Sequence, residues 1–189
     1  MKTTTNFILS CTNIFKTYKQ LGEKAMAQLS DEQLFWMPEP ESNSVYLIVK
    51  HLHGNMLSRW TDFLTTDGEK EWRNRDREFE SDEGMKGLRD EGASTKLNMT
   101  REKVMKLWEE GWQCLFDTLN TLTEDDLRKI ITIRSEEHSV MEAINRQIAH
   151  YSSHTGQIIF LAKMMKSENW NSLSIPRNKS AEFNKNMMK

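Results

Sequence analysis

Residues 140–166 read VMEAINRQIAHYSSHTGQIIFLAKMMK, and the fold class of the chain follows from this segment. Apolar residues recur in it every three or four positions, which predicts an amphipathic helix. One face of that helix holds Val140, Ile144, Gln147, Tyr151, Ile158, Leu161 and Met165. His150 and His154 share this face, because a helix turns by roughly 100° per residue. Both imidazoles are predicted to point toward the interior, where each needs a partner.

Three more segments have the same helical spacing, and they cover residues 7–29, 45–64 and 100–119. Ser30 with Gln33 is a capping signal, and Thr100 can cap the third of these helices. Four long amphipathic helices bury their apolar stripes against one another in a bundle. Residues 130–133 alternate like a short strand. The sequence therefore predicts an all-α four-helix bundle with a short extended arm before its last helix.

A long crossover connection joins the second and third long helices. It covers residues 69–99, is densely charged at its start, and contains Gly84, Gly87 and Gly92. We interpret it as a connection or a lid over one end of the bundle. Residues 1–168 are predicted to form the bundle domain, and residues 169–189 a polar C-terminal tail.

Charge and composition argue against several classes of protein. The 189 residues include 26 basic and 28 acidic side chains, for a formal charge of −2, with no basic stripe that could neutralise phosphates. We therefore expect no nucleic-acid partner. Apolar runs fall far short of the roughly 20 residues that span a bilayer, so no membrane partner is expected either. Cys11 and Cys114 lie in no CxxC motif, which favours a reducing, cytoplasmic location.

A third histidine would turn the pair on the last helix into a metal site. The second long helix offers His51 and His53, one on each shoulder of its apolar stripe. Periodicity alone does not choose between them. A lone HxxxH pair also occurs on helix surfaces, so the pattern by itself leaves a metal site and a surface pair both open.

Two motifs resemble the DinB-like (YfiT-type) superfamily of metal-binding four-helix bundles: IVKHL at 48–52 and HYSSHTGQI at 150–158. Four more resemble one functionally uncharacterised bacterial branch of it: WTDFL at 60–64, WRNRD at 72–76, AINRQ at 143–147 and SLSIP at 172–176. In this superfamily a histidine of the second helix and an HxxxH pair of the last helix bind zinc, nickel or a similar ion. The superfamily pattern falls on His51, so the resemblance implies a site of His51, His150 and His154. The chain departs from the branch at residues 81–99, which form a longer connection.

Three imidazoles would leave one position of a tetrahedral ion open, as in catalytic zinc sites. Such an ion lowers the pKa of a bound water toward ~7 or deprotonates a bound thiol. The resemblance implies a metal-dependent enzyme, either a transferase that joins a low-molecular-weight thiol such as bacillithiol to an electrophile, or a small hydrolase. The alternative is a non-enzymatic metal-binding protein with a structural ion. Asp62, Asp76, Glu78 and Glu142 are available as a general base, but no spacing ties them to the site.

Arg73, Arg75 and Asp76 are candidates for contact with a small-molecule substrate. Their charged segment could fold over the bundle mouth and hold an anion, although a solvated loop has the same composition. Asn55, one turn after His51, could orient a ligand or make a core hydrogen bond. Arg146 and Gln147 are interpreted as structural hydrogen-bonding residues.

The aromatic residues suggest an oligomer. Six tryptophans are many for a small polar domain, and Trp60 and Trp72 flank the crossover. Aromatic surface at this place would be covered by a second copy of the chain, so a two-fold homodimer is predicted.

Overall fold

The computed structural model describes residues 6–80 and 100–187. These residues form seven α-helices: α1 Asn6–Met26, α2 Asp31–Phe35, α3 Val45–Trp60, α4 Arg75–Phe79, α5 Arg101–Thr121, α6 Val140–Lys166 and α7 Ser180–Met187. Two short strands, β1 (Ile130–Ile133) and β2 (Glu136–Ser139), lie between α5 and α6. The 81–99 stretch of the crossover, with its three glycines, lies outside the described residues.

The four long helices form the bundle. α3 packs mainly on α5 and α1 mainly on α6, while smaller contacts join α3 to α6 and α1 to α5. The predicted all-α bundle is confirmed. Its helix starts follow the sequence signals: Ser30 forms a capping box with Gln33 at α2, Thr100 caps α5, and Ser139 caps α6.

Two helix ends differ from the sequence prediction. α1 ends at Met26 rather than at residue 29, because the capping box at Ser30 starts the separate helix α2. α3 ends at Trp60 rather than at residue 64, because Thr61 is extended and Asp62 has a φ of 48°. A left-handed residue cannot continue a right-handed helix, so the chain turns away there.

The core between the helices is rich in aromatic rings. The ring centroid of Phe15 lies 6.2 Å from those of Trp60 and Trp112 and 5.9 Å from that of Tyr151. Trp60 is only 1% exposed, so it packs inside its own chain. The prediction that Trp60 contributes to an exposed aromatic surface is therefore wrong. Trp72 is 60% exposed, and the homodimer stays a prediction.

The predicted extended arm is one strand of a hairpin. β1 and β2 pair antiparallel across a two-residue turn, in which Arg134 and Ser135 have φ values of 56° and 62°. Type I′ turns have such positive φ values and prefer the sequence Asn-Gly. A turn made by Arg-Ser therefore needs additional hydrogen bonds to stabilise it. The Asp67 carboxylate accepts hydrogen bonds from both backbone N–H groups, at 2.9 and 2.8 Å. Asp67 thereby ties the chain after α3 to the arm before α6.

The first residues of the segment predicted as a polar tail (169–189) pack on the bundle. Trp170 and Leu173 pack on the core, and Gln28 makes two hydrogen bonds to the backbone of Asn171. α7 is exposed along its whole length. Among the helices of the described residues, none is long and apolar enough to cross a membrane.

Asp67→Asn is expected to destabilise the fold in a pH-dependent way. Burial opposes ionisation of Asp67, but backbone N–H groups of Glu69, Ser135 and Arg134 outweigh it and lower the pKa from 3.8 to about 2. The stabilisation is present above pH 3.8 and is lost as the pH falls through about 2. Solvent screening at this partly exposed group limits the contribution to about 1 kcal/mol.

Urea unfolding at neutral pH should show this loss, and at about pH 2 the variant should approach the wild type. Asp125→Asn is the matched control, because Asp125 is exposed and makes no side-chain hydrogen bond within the described residues. An equal loss of stability at both pH values would contradict the role assigned to Asp67.

Candidate metal centre

Three imidazole groups meet between α3 and α6. α3 supplies His51, and α6 supplies His150 and His154, one turn apart. The Nε2 atom of His150 lies 3.2 Å from Nε2 of His51 and 3.1 Å from Nε2 of His154. Nitrogen ligands at about 2.0–2.1 Å from a tetrahedral zinc ion are about 3.4 Å apart, close to this spacing. The structure thus brings the predicted ligands together in a group that can hold a metal ion.

Hydrogen bonds fix the protons of two of these rings. His51 Nδ1 lies 2.8 Å from Glu78 Oε2, and His154 Nδ1 lies 2.7 Å from Gln157 Oε1. Both oxygens can only accept, so each Nδ1 carries the proton and each Nε2 presents a lone pair to His150. A single proton on His150 Nε2 could serve only one of these neighbours. A cation that accepts all three lone pairs satisfies the whole group.

Two of the imidazoles are held in the form that binds metal. Burial is the largest of the effects that lower the pKa of His150 to about 3, and the nearby histidines and arginines add to it. Burial also lowers the pKa of His154. Both rings are therefore neutral at neutral pH, and no proton competes with a metal ion there.

Helix α4 fixes the ring of His51. Its Glu78 accepts the Nδ1–H bond, and Arg73 in turn donates to Glu78 from Nε and Nη2, at 2.7 and 2.8 Å. Burial opposes ionisation of Glu78, but the bonds from Arg73 and His51 outweigh it and lower its pKa. The Phe79 ring stacks on His51 with 4.7 Å between centroids. A histidine that donates to a carboxylate in this way is typical of metal ligands.

The close approach of α4 to α3 depends on Gly54. A methyl group added at Gly54 would overlap Oε1 of Glu78, and that carboxylate cannot move aside without leaving Arg73 and His51. Glycine at this position therefore makes room for the carboxylate.

A chain of hydrogen bonds through the core fixes the amide of Asn55. Trp60 Nε1 donates to the Tyr151 hydroxyl at 3.0 Å, and that hydroxyl donates to Asn55 Oδ1 at 3.0 Å. The order is settled because an indole N–H can only donate, which leaves the hydroxyl proton for Asn55. Asn55 thus makes a core hydrogen bond through Oδ1. It also lines the cavity beside the histidines, where Nδ2 remains a donor.

The imidazoles form part of the wall of a cavity of about 290 Å³. Apart from Phe79, the other lining residues are amides and arginines: Asn55, Arg59, Arg73, Arg75, Arg134, Arg146 and Gln147. No carboxylate from the described part of the chain lines it. A polar cavity of this volume suits a small ligand.

The predicted substrate residues have different positions. Arg73 lines the cavity, but its side chain is 1% exposed and makes ion pairs with Glu69 and Glu78. Arg75 lines the cavity. Asp76 is exposed and lies outside the cavity wall, so the structure does not bring it to the site.

Sequence reasoning missed several residues of the site. Arg146 and Gln147 were interpreted as structural, yet they precede His150 by four and three positions on α6 and line the same cavity. That spacing was a usable signal, because such residues share a helix face. Glu78 was only one of four possible bases, since periodicity does not fix the path of the crossover. Its partner His51 lies 27 positions earlier in the sequence.

The chain was compared with known protein families, curated proteins and solved structures. A family model described as "Protein of unknown function (DUF1572)" matches residues 2–179. No curated protein and no solved structure matches the chain.

The metal-free protein is expected to lose stability as the pH falls below neutral. An unfolded histidine takes up a proton near pH 6.5, whereas folded His150 does so only near about 3. The unfolded state therefore binds more protons in between, and stability falls with pH by up to about 2 kcal/mol at about pH 5.

Denaturant unfolding in the presence of a chelator, at neutral pH and at about pH 5, measures this loss. His150→Asn removes the titrating group and should reduce the difference between the two pH values. The same difference in wild type and variant would show that His150 is not held neutral by the fold.

Proposed function

The chain belongs to the DUF1572 family, whose description assigns no function, and we propose that it is a divalent-metal-dependent enzyme acting on a small molecule. One observation carries this proposal: three Nε2 atoms, two of them with their lone pairs fixed inward, converge in the wall of a cavity. We further propose that the chain is a DinB-like protein, on the motifs around His51 and His150.

The donor set fits a borderline divalent ion. Imidazole nitrogen suits zinc, nickel, copper and iron, and we propose zinc or nickel. His51, His150 and His154 would hold the ion, while Glu78 and Gln157 would fix two of their rings. When bound, the ion would supply a nucleophile at neutral pH by lowering the pKa of a water or thiol.

The cavity favours a catalytic ion over a structural one. Structural zinc sites are closed by four protein ligands, whereas catalytic sites keep three and leave one position open. The group identified here has three members in the described part of the chain, and it faces a cavity. A purely structural ion would have no need of that cavity.

The joining of a low-molecular-weight thiol to an electrophile is the first candidate reaction. No carboxylate of the described residues lines the cavity, so none of them stands beside the ion as a general base. A metal ion deprotonates a bound thiol without such a base. Asn55, whose Oδ1 accepts a hydrogen bond from the Tyr151 hydroxyl, would donate from Nδ2 to the substrate or to its leaving group. Hydrolysis is the second candidate.

Turnover assays on zinc- or nickel-loaded protein test the function. A panel of thiols, bacillithiol included, would be mixed with electrophiles, and esters and amides would be tested beside it. We expect the metal-loaded protein to consume a thiol. The substitution His150→Ala should abolish both this consumption and the retention of the metal. A large chelator-induced loss of melting temperature without turnover of any substrate would instead favour a structural ion.

Glu78→Gln is expected to weaken zinc binding by about 10–100-fold, because the neutral amide holds the His51 ring less well. Gly54→Ala should have an effect of the same direction, since the added methyl group displaces Glu78. Competition with a chromogenic chelator measures both affinities.

Gly156→Ala is the matched control for the glycine variant. Gly156 is also helical and lies two residues after His154, but a methyl group added there meets nothing within 4 Å. This variant should bind zinc like the wild type and melt slightly higher, because alanine favours helix. Equal zinc affinities for both glycine variants would contradict the role of Glu78 in holding the His51 ring.

A further inference from the structure

Two arginines of the cavity wall have no carboxylate partner among the described residues, so their positive charges are not compensated. Three others, Arg59, Arg73 and Arg134, make ion pairs with the neighbouring carboxylates of Glu69 and Glu78. Arg75 and Arg146 make no ion pair within the described residues. Their charges are therefore available to a ligand.

Neutral partners hold these two guanidinium groups in place. Arg75 lies over the Phe79 ring, 5.3 Å from its centroid, and Phe79 itself stacks on His51. Arg146 Nη1 donates to His138 Nε2 at 3.1 Å, so that nitrogen must offer a lone pair. A ring face and an accepting nitrogen orient a cation without neutralising it.

Gln147 provides an independent sign of a ligand at the same wall. It is 3% exposed and lines the cavity, yet its Oε1 is buried without a hydrogen-bond partner. Buried polar side chains are rarely left in this state. Because the two ends of an amide can exchange by rotation, Gln147 could offer a ligand either a donor or an acceptor.

We infer that Arg75, Arg146 and Gln147 form a subsite for the carboxylate or phosphate group of a small substrate. Guanidinium groups match the geometry of such oxyanions with paired hydrogen bonds. A bound oxyanion would also offset the repulsion between two unpaired guanidinium groups and a divalent ion nearby. The cavity of about 290 Å³ restricts the substrate to a small molecule.

The inference rests on the proposed function only in placing the reacting end of the substrate at the three histidines. The subsite itself needs no metal. Binding of an oxyanion to the metal-free chain therefore tests it separately from any activity.

Isothermal titration calorimetry with inorganic phosphate and with acetate, on metal-free and on zinc-loaded full-length protein, is the direct experiment. Arg75→Gln and Arg146→Gln should each weaken binding to the metal-free protein by about tenfold or more, the usual effect of losing a charged hydrogen bond. Zinc stoichiometry should not change in either variant. The tighter of the two probes identifies the oxyanion.

Arg77→Gln is the matched control. Arg77 lies on the same helix as Arg75, is exposed as Arg75 is and loses the same charge, but it does not line the cavity. If Arg77→Gln weakens phosphate binding as much as the other two variants, the effect is bulk charge and the subsite is overturned. If a glutamine variant fails to fold, Arg75→Lys and Arg146→Lys keep the charge and should still lose the paired hydrogen bonds.

The two proposals fail in different ways. If zinc binds stoichiometrically but phosphate binding does not depend on Arg75 or Arg146, the subsite is overturned and the metal site is supported. Phosphate binding that depends on both arginines, in a protein that does not bind zinc, overturns the proposed function and supports the subsite.

Discussion

The hydrogen bond from His51 Nδ1 to Glu78 Oε2 is the contact on which the site depends. It sets the tautomer of His51 and so turns the Nε2 lone pair toward the other two imidazoles. The bond exists because Gly54 lets the carboxylate approach α3 and because Arg73 holds it there. The same short helix, α4, carries Arg75. The bond between His51 and Glu78 therefore orients a metal-binding histidine and also holds the helix that places Arg75 in the cavity wall.

Local signals were enough to predict most of the fold. α6 begins and ends at the predicted residues, since Ser139 and Glu142 form a capping box before an uninterrupted apolar stripe. The sequence failed where distant parts of the chain decide. The burial of Trp60 depends on Phe15 from α1 and Tyr151 from α6, and nothing near residue 60 signals either contact.

The site was predictable to the same extent. The HxxxH pair on α6 is a local pattern, and periodicity alone left His51 and His53 open until the resemblance favoured His51. In the structure His53 faces α5 instead, with its Nε2 atom 3.3 Å from Glu110 Oε2. The charges of Arg73 and Arg75 were visible in the sequence, but their partners were not. Glu69, four residues before Arg73, forms an ion pair with it, while Arg75 lines the cavity and stays available to a bound ligand.

X-ray absorption spectroscopy of the zinc-loaded full-length protein tests the central claim most directly, because it counts and identifies the atoms bound to the ion. We expect one ion per chain with three imidazole nitrogens at about 2.0–2.1 Å and one further oxygen or nitrogen ligand that an added thiol replaces with sulfur. A shell with fewer than three imidazoles, or one completed by a fourth protein side chain that no added thiol displaces, would contradict it.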